Sequence, residues 1–146
     1  MLIDTHCHIN FNAYDEDRDA LIQRASDVGV NLIINPAIDL ETGEQILKLV
    51  EQYDGIYGAV GIHPNSTADF TVSQIDAIRQ QSQNTKIVAI GEIGLDYHWD
   101  DSPKEKQAEA FEAQLTLAAQ LELPVIIHNR EASDDVMVIL ESWVTT

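Results

Sequence analysis

Five times along this chain a short apolar run is followed by a longer stretch with helical periodicity. Strands are expected at residues 2–7, 31–35, 56–62, 86–90 and 124–127, and helices at residues 15–28, 40–53, 72–83, 103–121 and 133–143. Leu21, Ile22, Ala25 and Val28 stripe the first helical stretch, and Ile46, Leu47, Val50 and Tyr53 the second. Pro103 suits a first helical turn and Ser133 an N-cap. Strict alternation of the two elements points to parallel strands joined by right-handed crossovers. Leu32-Ile33-Ile34 and Val125-Ile126-Ile127 are apolar at successive positions, as in strands buried on both faces. The expected fold is α/β, a partial TIM-like (β/α) barrel with about five of eight parallel βα units. Residues 1–146 are expected to form a single domain, the N-terminal part of such a barrel, because closure takes ~250 residues. Its edge strands would then lack neighbours and invite self-association.

Four candidate metal ligands sit where these strands should end. His6 and His8 come in Asp4-Thr5-His6-Cys7-His8, Glu92 in Gly91-Glu92-Ile93-Gly94-Leu95-Asp96-Tyr97, and His128 in Ile126-Ile127-His128-Asn129-Arg130. Residues two apart on a strand share a face, so His6 and His8 are expected to project together and Cys7 away from them. Imidazole and carboxylate donors suit Zn²⁺ or Mn²⁺, and Mg²⁺ where more carboxylate and water take part. The two oxygens of Glu92 can bridge two ions, which then clamp the attacking and leaving oxygens. Asp96 and Tyr97 are expected at the rim, and the Arg130 guanidinium can hold a phosphate through two hydrogen bonds. Asp4 is a candidate for orienting a ligand. His98 reads as an ordinary loop histidine, and Trp99 and Trp143 as packing residues.

With 25 acidic against 8 basic residues the formal charge is −17. That disfavours recognition of nucleic acid through broad phosphate neutralisation, but not metal-mediated binding of a phosphodiester in one pocket. Cys7 is the only cysteine, the start Met-Leu-Ile-Asp-Thr-His lacks the pattern of a secretory signal, and no apolar run approaches the ~20 residues of a membrane span. A cytoplasmic location without a membrane partner is expected.

Taken in order, Asp4-Thr5-His6-Cys7-His8, Gly61-Ile62-His63-Pro64, the Gly91–Tyr97 motif, Phe111-Glu112-Ala113-Gln114-Leu115 with Leu117-Ala118, and Pro124-Val125-Ile126-Ile127-His128-Asn129-Arg130-Glu131-Ala132 resemble the TatD family of metal-dependent deoxyribonucleases. The resemblance implies an amidohydrolase-type barrel that hydrolyses phosphodiester bonds of DNA, single-stranded or at 3′ ends, with a hydroxide activated by a divalent metal cluster. It implies two cations (Zn, Mn or Mg), with His6 and His8 on the first, Glu92 bridging and His128 on the second. Glu92 and His63 would be catalytic, His63 by contacting phosphate or stabilising charge. His63, Asp96, Tyr97 and Arg130 would bind substrate. The family also uses a histidine and an aspartate downstream of the His128 strand, and neither has a counterpart in these residues. Two alternatives remain: an amidohydrolase-type enzyme acting on a small-molecule C–N or C–O bond, and an inactive truncated fragment without the later ligands.

Overall fold

The computed structural model describes residues 1–144. Strands β1 (Leu2–Asp4), β2 (Val30–Pro36), β3 (Ile56–Val60), β4 (Ile87–Asp96) and β5 (Val125–Arg130) form one parallel sheet in chain order, a half-barrel. The crossovers carry α1 (Arg18–Asp27), α2 (Leu40–Gln52), α3 (Gln74–Gln81) and α4 (Lys104–Leu121), and α5 (Ser133–Val144) follows β5. The sheet and its helices bury Ile33, Ile46, Val50, Ile56, Ile78, Ile90, Phe111 and Leu117. Such burial stabilises by roughly 1.5–3 kcal/mol per large apolar side chain. Among the described residues no helix is long and apolar enough to cross a membrane.

Local chemistry fixes the ends of the elements. A capping box starts α2: the Asp39 carboxylate accepts from the Thr42 N–H at 2.8 Å, and the Thr42 hydroxyl accepts from the Asp39 N–H at 3.0 Å. Two buried glutamines of α4, two turns apart, grip the chain where it leaves β3 and β4. The Gln114 amide accepts from Ile62 N–H at 2.7 Å and donates to Ile62 O at 3.1 Å. Gln107 does the same to Asp96, at 2.8 and 2.9 Å.

Three boundaries differ from the sequence expectation. The first strand stops at Asp4, so His6 and His8 lie on the connection beyond it, although Cys7 N–H still donates to Ile34 O at 3.1 Å. The fourth strand runs past residue 90 to Asp96, which makes Glu92 an internal strand residue and Asp96 the strand end. Gly91 and Gly94 do not break it. They let β5 come close: a Cβ on Gly91 would lie 2.7 Å from Ile126 Cβ, and one on Gly94, at φ +139°, would meet the His128 carbonyl oxygen. The fifth strand likewise extends to Arg130, with Gly94 opposite His128 and Asp96 opposite Arg130.

Candidate metal centre

All the candidate ligands lie in the C-terminal halves of strands or just beyond them, along one edge of the sheet. The loop after β1 is held by β2: Asn10 N–H donates to Asn35 Oδ1 at 3.1 Å and Asn35 Nδ2 donates to Asn10 Oδ1 at 2.9 Å. Arg18 donates to the Ile9 carbonyl at 2.7 Å and to the Phe11 carbonyl at 3.2 Å. Asp4 accepts from the backbone N–H of His6 at 3.1 Å, so it orients the turn rather than a ligand ring. On this loop the Nε2 atoms of His6 and His8 are 3.2 Å apart, and they lie 3.3 and 3.6 Å from Glu92 Oε2. Donors on one ion at ~2.1 Å lie ~3.0–3.5 Å from each other, so these three atoms have the spacing of a shared cation site. The His8 ring stacks on Phe11 with centroids 4.9 Å apart, and its buried Nδ1 has no partner.

The other oxygen of Glu92 faces His128. His128 Nδ1 is 2.9 Å from Glu92 Oε1, and its Nε2 is 2.9 Å from Asp96 Oδ2. His63, Glu92 and His128 form a second donor group, with the His63 and His128 ring centroids 4.2 Å apart. Glu92 thus belongs to both groups, with Oε2 toward His6 and His8 and Oε1 toward His128. The donor set fits divalent ions. Burial pushes the Glu92 carboxyl up, but His128, His8, His6 and His63 around it outweigh that and hold it well below the usual range. Asp96 is also lowered: against burial stand the N–H groups of His98 and Trp99 and the His128 ring. The Glu92 contact raises His128, with Asp96 adding to it against the effect of burial. His63 is pushed down to about 4, chiefly by burial and then by His128.

The structure brings His6, His8, Glu92, His63 and His128 together and moves Asp96 from the rim to the floor. Asp96 is 1 % exposed and touches His128 directly. The sequence signal for this was the parity of β4, which places Glu92, Gly94 and Asp96 on one face. Tyr97 and Arg130 are at the mouth. The Tyr97 hydroxyl donates to Asp135 Oδ2 at 2.6 Å and thereby ties β4 to α5, and Lys104 Nζ lies 3.8 Å from its ring centroid. Arg130 lies 5.5 Å from the Trp99 ring, while Glu131 contacts His98 at 2.8 Å. His98 is therefore anchored to Glu131 rather than idle. Trp99 is half exposed, where the sequence reading expected a packing residue.

A model of the family described as TatD related DNase matches residues 3–146. The chain is 45 % identical over 141 residues to the uncharacterized metal-dependent hydrolase YabD of Bacillus subtilis, covering 97 % of this chain and 55 % of the relative. It is 34 % identical over 142 residues to the 3′-5′ ssDNA/RNA exonuclease TatD of Escherichia coli, with the same coverages. The crystal structure of YJJV, a TatD homolog from Escherichia coli, superposes with a TM-score of 0.89 at 38 % identity, over 97 % of this chain and 55 % of that one. The chain spans about half the length of the curated relatives it matches.

Proposed function

Because this chain belongs to the TatD-related DNase family, we propose that it contributes the metal-holding half of a hydrolase acting on phosphodiester bonds of single-stranded nucleic acid. Residues 1–146 are read as one α/β unit, the first part of a (β/α) barrel. The observation that carries the reading is the pair of donor groups sharing Glu92, His6 and His8 on one oxygen and His63 and His128 beside the other. His6, His8, Glu92 and His128 are the assigned ligands. When bound, divalent cations supply Lewis-acid polarisation of the phosphate and an activated water.

The chain's own groups do the rest. Glu92 keeps its charge because the surrounding histidines, His128 first, hold its carboxyl below the usual range against the effect of burial. Asp96 fixes the His128 ring through Nε2 and thereby presents Nδ1 toward Glu92. His63, lowered to about 4, is neutral at pH 7 and offers a ring nitrogen as a hydrogen-bond group to a phosphate oxygen, its Nδ1 being engaged by the Asn65 N–H at 3.2 Å. Arg130 at the mouth supplies the fixed positive charge that holds a phosphate.

The test is cleavage of a 3′-labelled single-stranded oligonucleotide by protein loaded with Mg²⁺, Mn²⁺ or Zn²⁺. Metal-dependent cleavage that falls at least a hundredfold in Glu92→Gln is the expected result. Inertness on DNA and RNA with turnover of a lactone or cyclic amide would replace the reading with C–O or C–N hydrolysis.

A further inference from the structure

Of the eight basic side chains, four have no carboxylate partner among the described residues: Lys48, Lys104, Arg130 and Arg79, the last bonded to the Gln120 amide oxygen. That is unexpected where 25 carboxylates compete for them. Two of the four lie at the mouth of the metal centre, each over an aromatic ring: Lys104 over Tyr97 at 3.8 Å and Arg130 over Trp99 at 5.5 Å. The two rings differ. Tyr97 is half-buried and tied down by Asp135. Trp99 is 50 % exposed, yet its position is fixed. Its backbone N–H and that of His98 are directed at the buried Asp96 carboxylate, and the His98 ring meets the indole edge-to-face at 4.5 Å. His98 is itself anchored by Glu131. Between Tyr97 and Trp99 lies a cleft of about 210 Å³ floored by Asp96 and Gln107. A large flat apolar ring held this firmly in water, three residues from a candidate active-site carboxylate, contributes little to packing.

We propose that Trp99 is a stacking platform for one unpaired nucleobase, with Arg130 beside it taking an adjoining phosphate. The inference rests on the phosphodiester reading and adds to it how the strand is held and why it must be single-stranded: a paired base keeps its faces stacked within the duplex. Stacking on an aromatic face tolerates any base and any sugar, whereas the Arg130 contact is indifferent to whether a base is present. The two residues therefore have separable signatures.

The experiment uses the full chain carrying Trp143→Phe, which leaves Trp99 as the sole tryptophan. In EDTA, to prevent cleavage, its fluorescence is titrated with oligo(dT), oligo(rU) and an abasic oligomer of equal charge. Base-bearing oligomers should quench Trp99 and bind about tenfold more tightly than the abasic one. The relative affinity of the DNA and RNA oligomers identifies which nucleic acid the surface prefers. In Trp99→Ala, followed by anisotropy of a labelled oligomer, that tenfold preference should vanish. Trp99→Phe should keep most of it, which separates stacking from a folding defect. Arg130→Gln should weaken both kinds of oligomer alike. Equal affinity of wild-type Trp99 for abasic and base-bearing oligomers overturns the proposal, as does an unchanged preference in Trp99→Ala. Cleavage of the abasic oligomer by the metal-loaded protein tests the phosphodiester reading separately. If no cleavage occurs while the base preference stands, that reading fails and the platform does not.

Discussion

His128 has a carboxylate on each ring nitrogen, 2.9 Å away on either side. Both nitrogens can satisfy these contacts only as donors, so the ring keeps a proton more readily than a free imidazole, and its pKa is raised accordingly. A cation taking Nδ1 must displace that proton. Calorimetric titration with Zn²⁺ at pH 7 in buffers of different ionisation enthalpy should therefore show proton release, and affinity should rise with pH. In Asp96→Asn the release should shrink. Replacing Glu92 with Ala should lower metal stoichiometry more than replacing His98 does, because Glu92 belongs to both donor groups and His98 to neither. Sequence motifs were enough to single out the four candidate ligands, because residue chemistry acts over a few positions, although His6 and His8 come together on the loop after β1 and not on the strand. They could not place Trp99 or the partner of Arg130. Both depend on how the loops after β4 and β5 meet, 31 residues apart along the chain.

At the scale of elements, the contact between β4 and β5 sets the site, and Gly94 sets that contact. Gly94→Ala should cost more than the ~1–2 kcal/mol of an unfavourable backbone conformation, since the new methyl meets the His128 carbonyl. Gly29→Ala is the matched control: its φ is +91° but nothing lies within 4 Å of the added carbon. Thermal melts should rank Gly94→Ala well below Gly29→Ala, and only the former should weaken metal binding. Gln107→Leu should cost about 1–3 kcal/mol by leaving the Asp96 N–H and carbonyl unpaired in the interior. The Tyr97–Asp135 bond joins β4 to α5, and burial with that bond pushes the phenol up to about 12. A pKa raised on folding gives stability that is complete below the ordinary tyrosine value of ~10 and lost as pH climbs toward the folded value. The melting-temperature deficit of Tyr97→Phe should accordingly close between pH 10 and 12. From sequence β4 ends at residue 90, where the run of successive apolar residues stops, six residues before Asp96. The glutamines of α4 were missed because a polar residue on a helix ordinarily faces water.

For the whole molecule, a charge of −17 repels the backbone of any nucleic acid. Among the described residues, Arg130 and Lys104 oppose it at the mouth. With about 0.7 counterions released per neutralised phosphate on a single strand, the log–log salt slope of oligonucleotide binding should be near −1.4, and a slope steeper than −4 would show a basic surface elsewhere. β1 and β5 are the edges of the described sheet, and Leu2 and Ile3 are exposed. The 146-residue polypeptide should therefore associate reversibly in sedimentation velocity at micromolar concentration. The architecture itself was legible because alternation of two periodicities is a global pattern that single misjudged boundaries do not disturb. That each strand pairs with its predecessor has a further consequence, for the order in which the molecule takes shape. A chain emerging from the ribosome can add each strand to a sheet already in place, with only short loops to close. His128 arrives last, some 120 residues after His6. Until it docks, the Glu92 and Asp96 carboxylates both lack the His128 ring that lies 2.9 Å from each, and a protonated ring offsets their charge on arrival. Docking of β5 should thus be the slowest step of assembly at high pH and be hastened by mild acid, an order that pulse-labelling hydrogen exchange on Ile126 and Ile127 can follow.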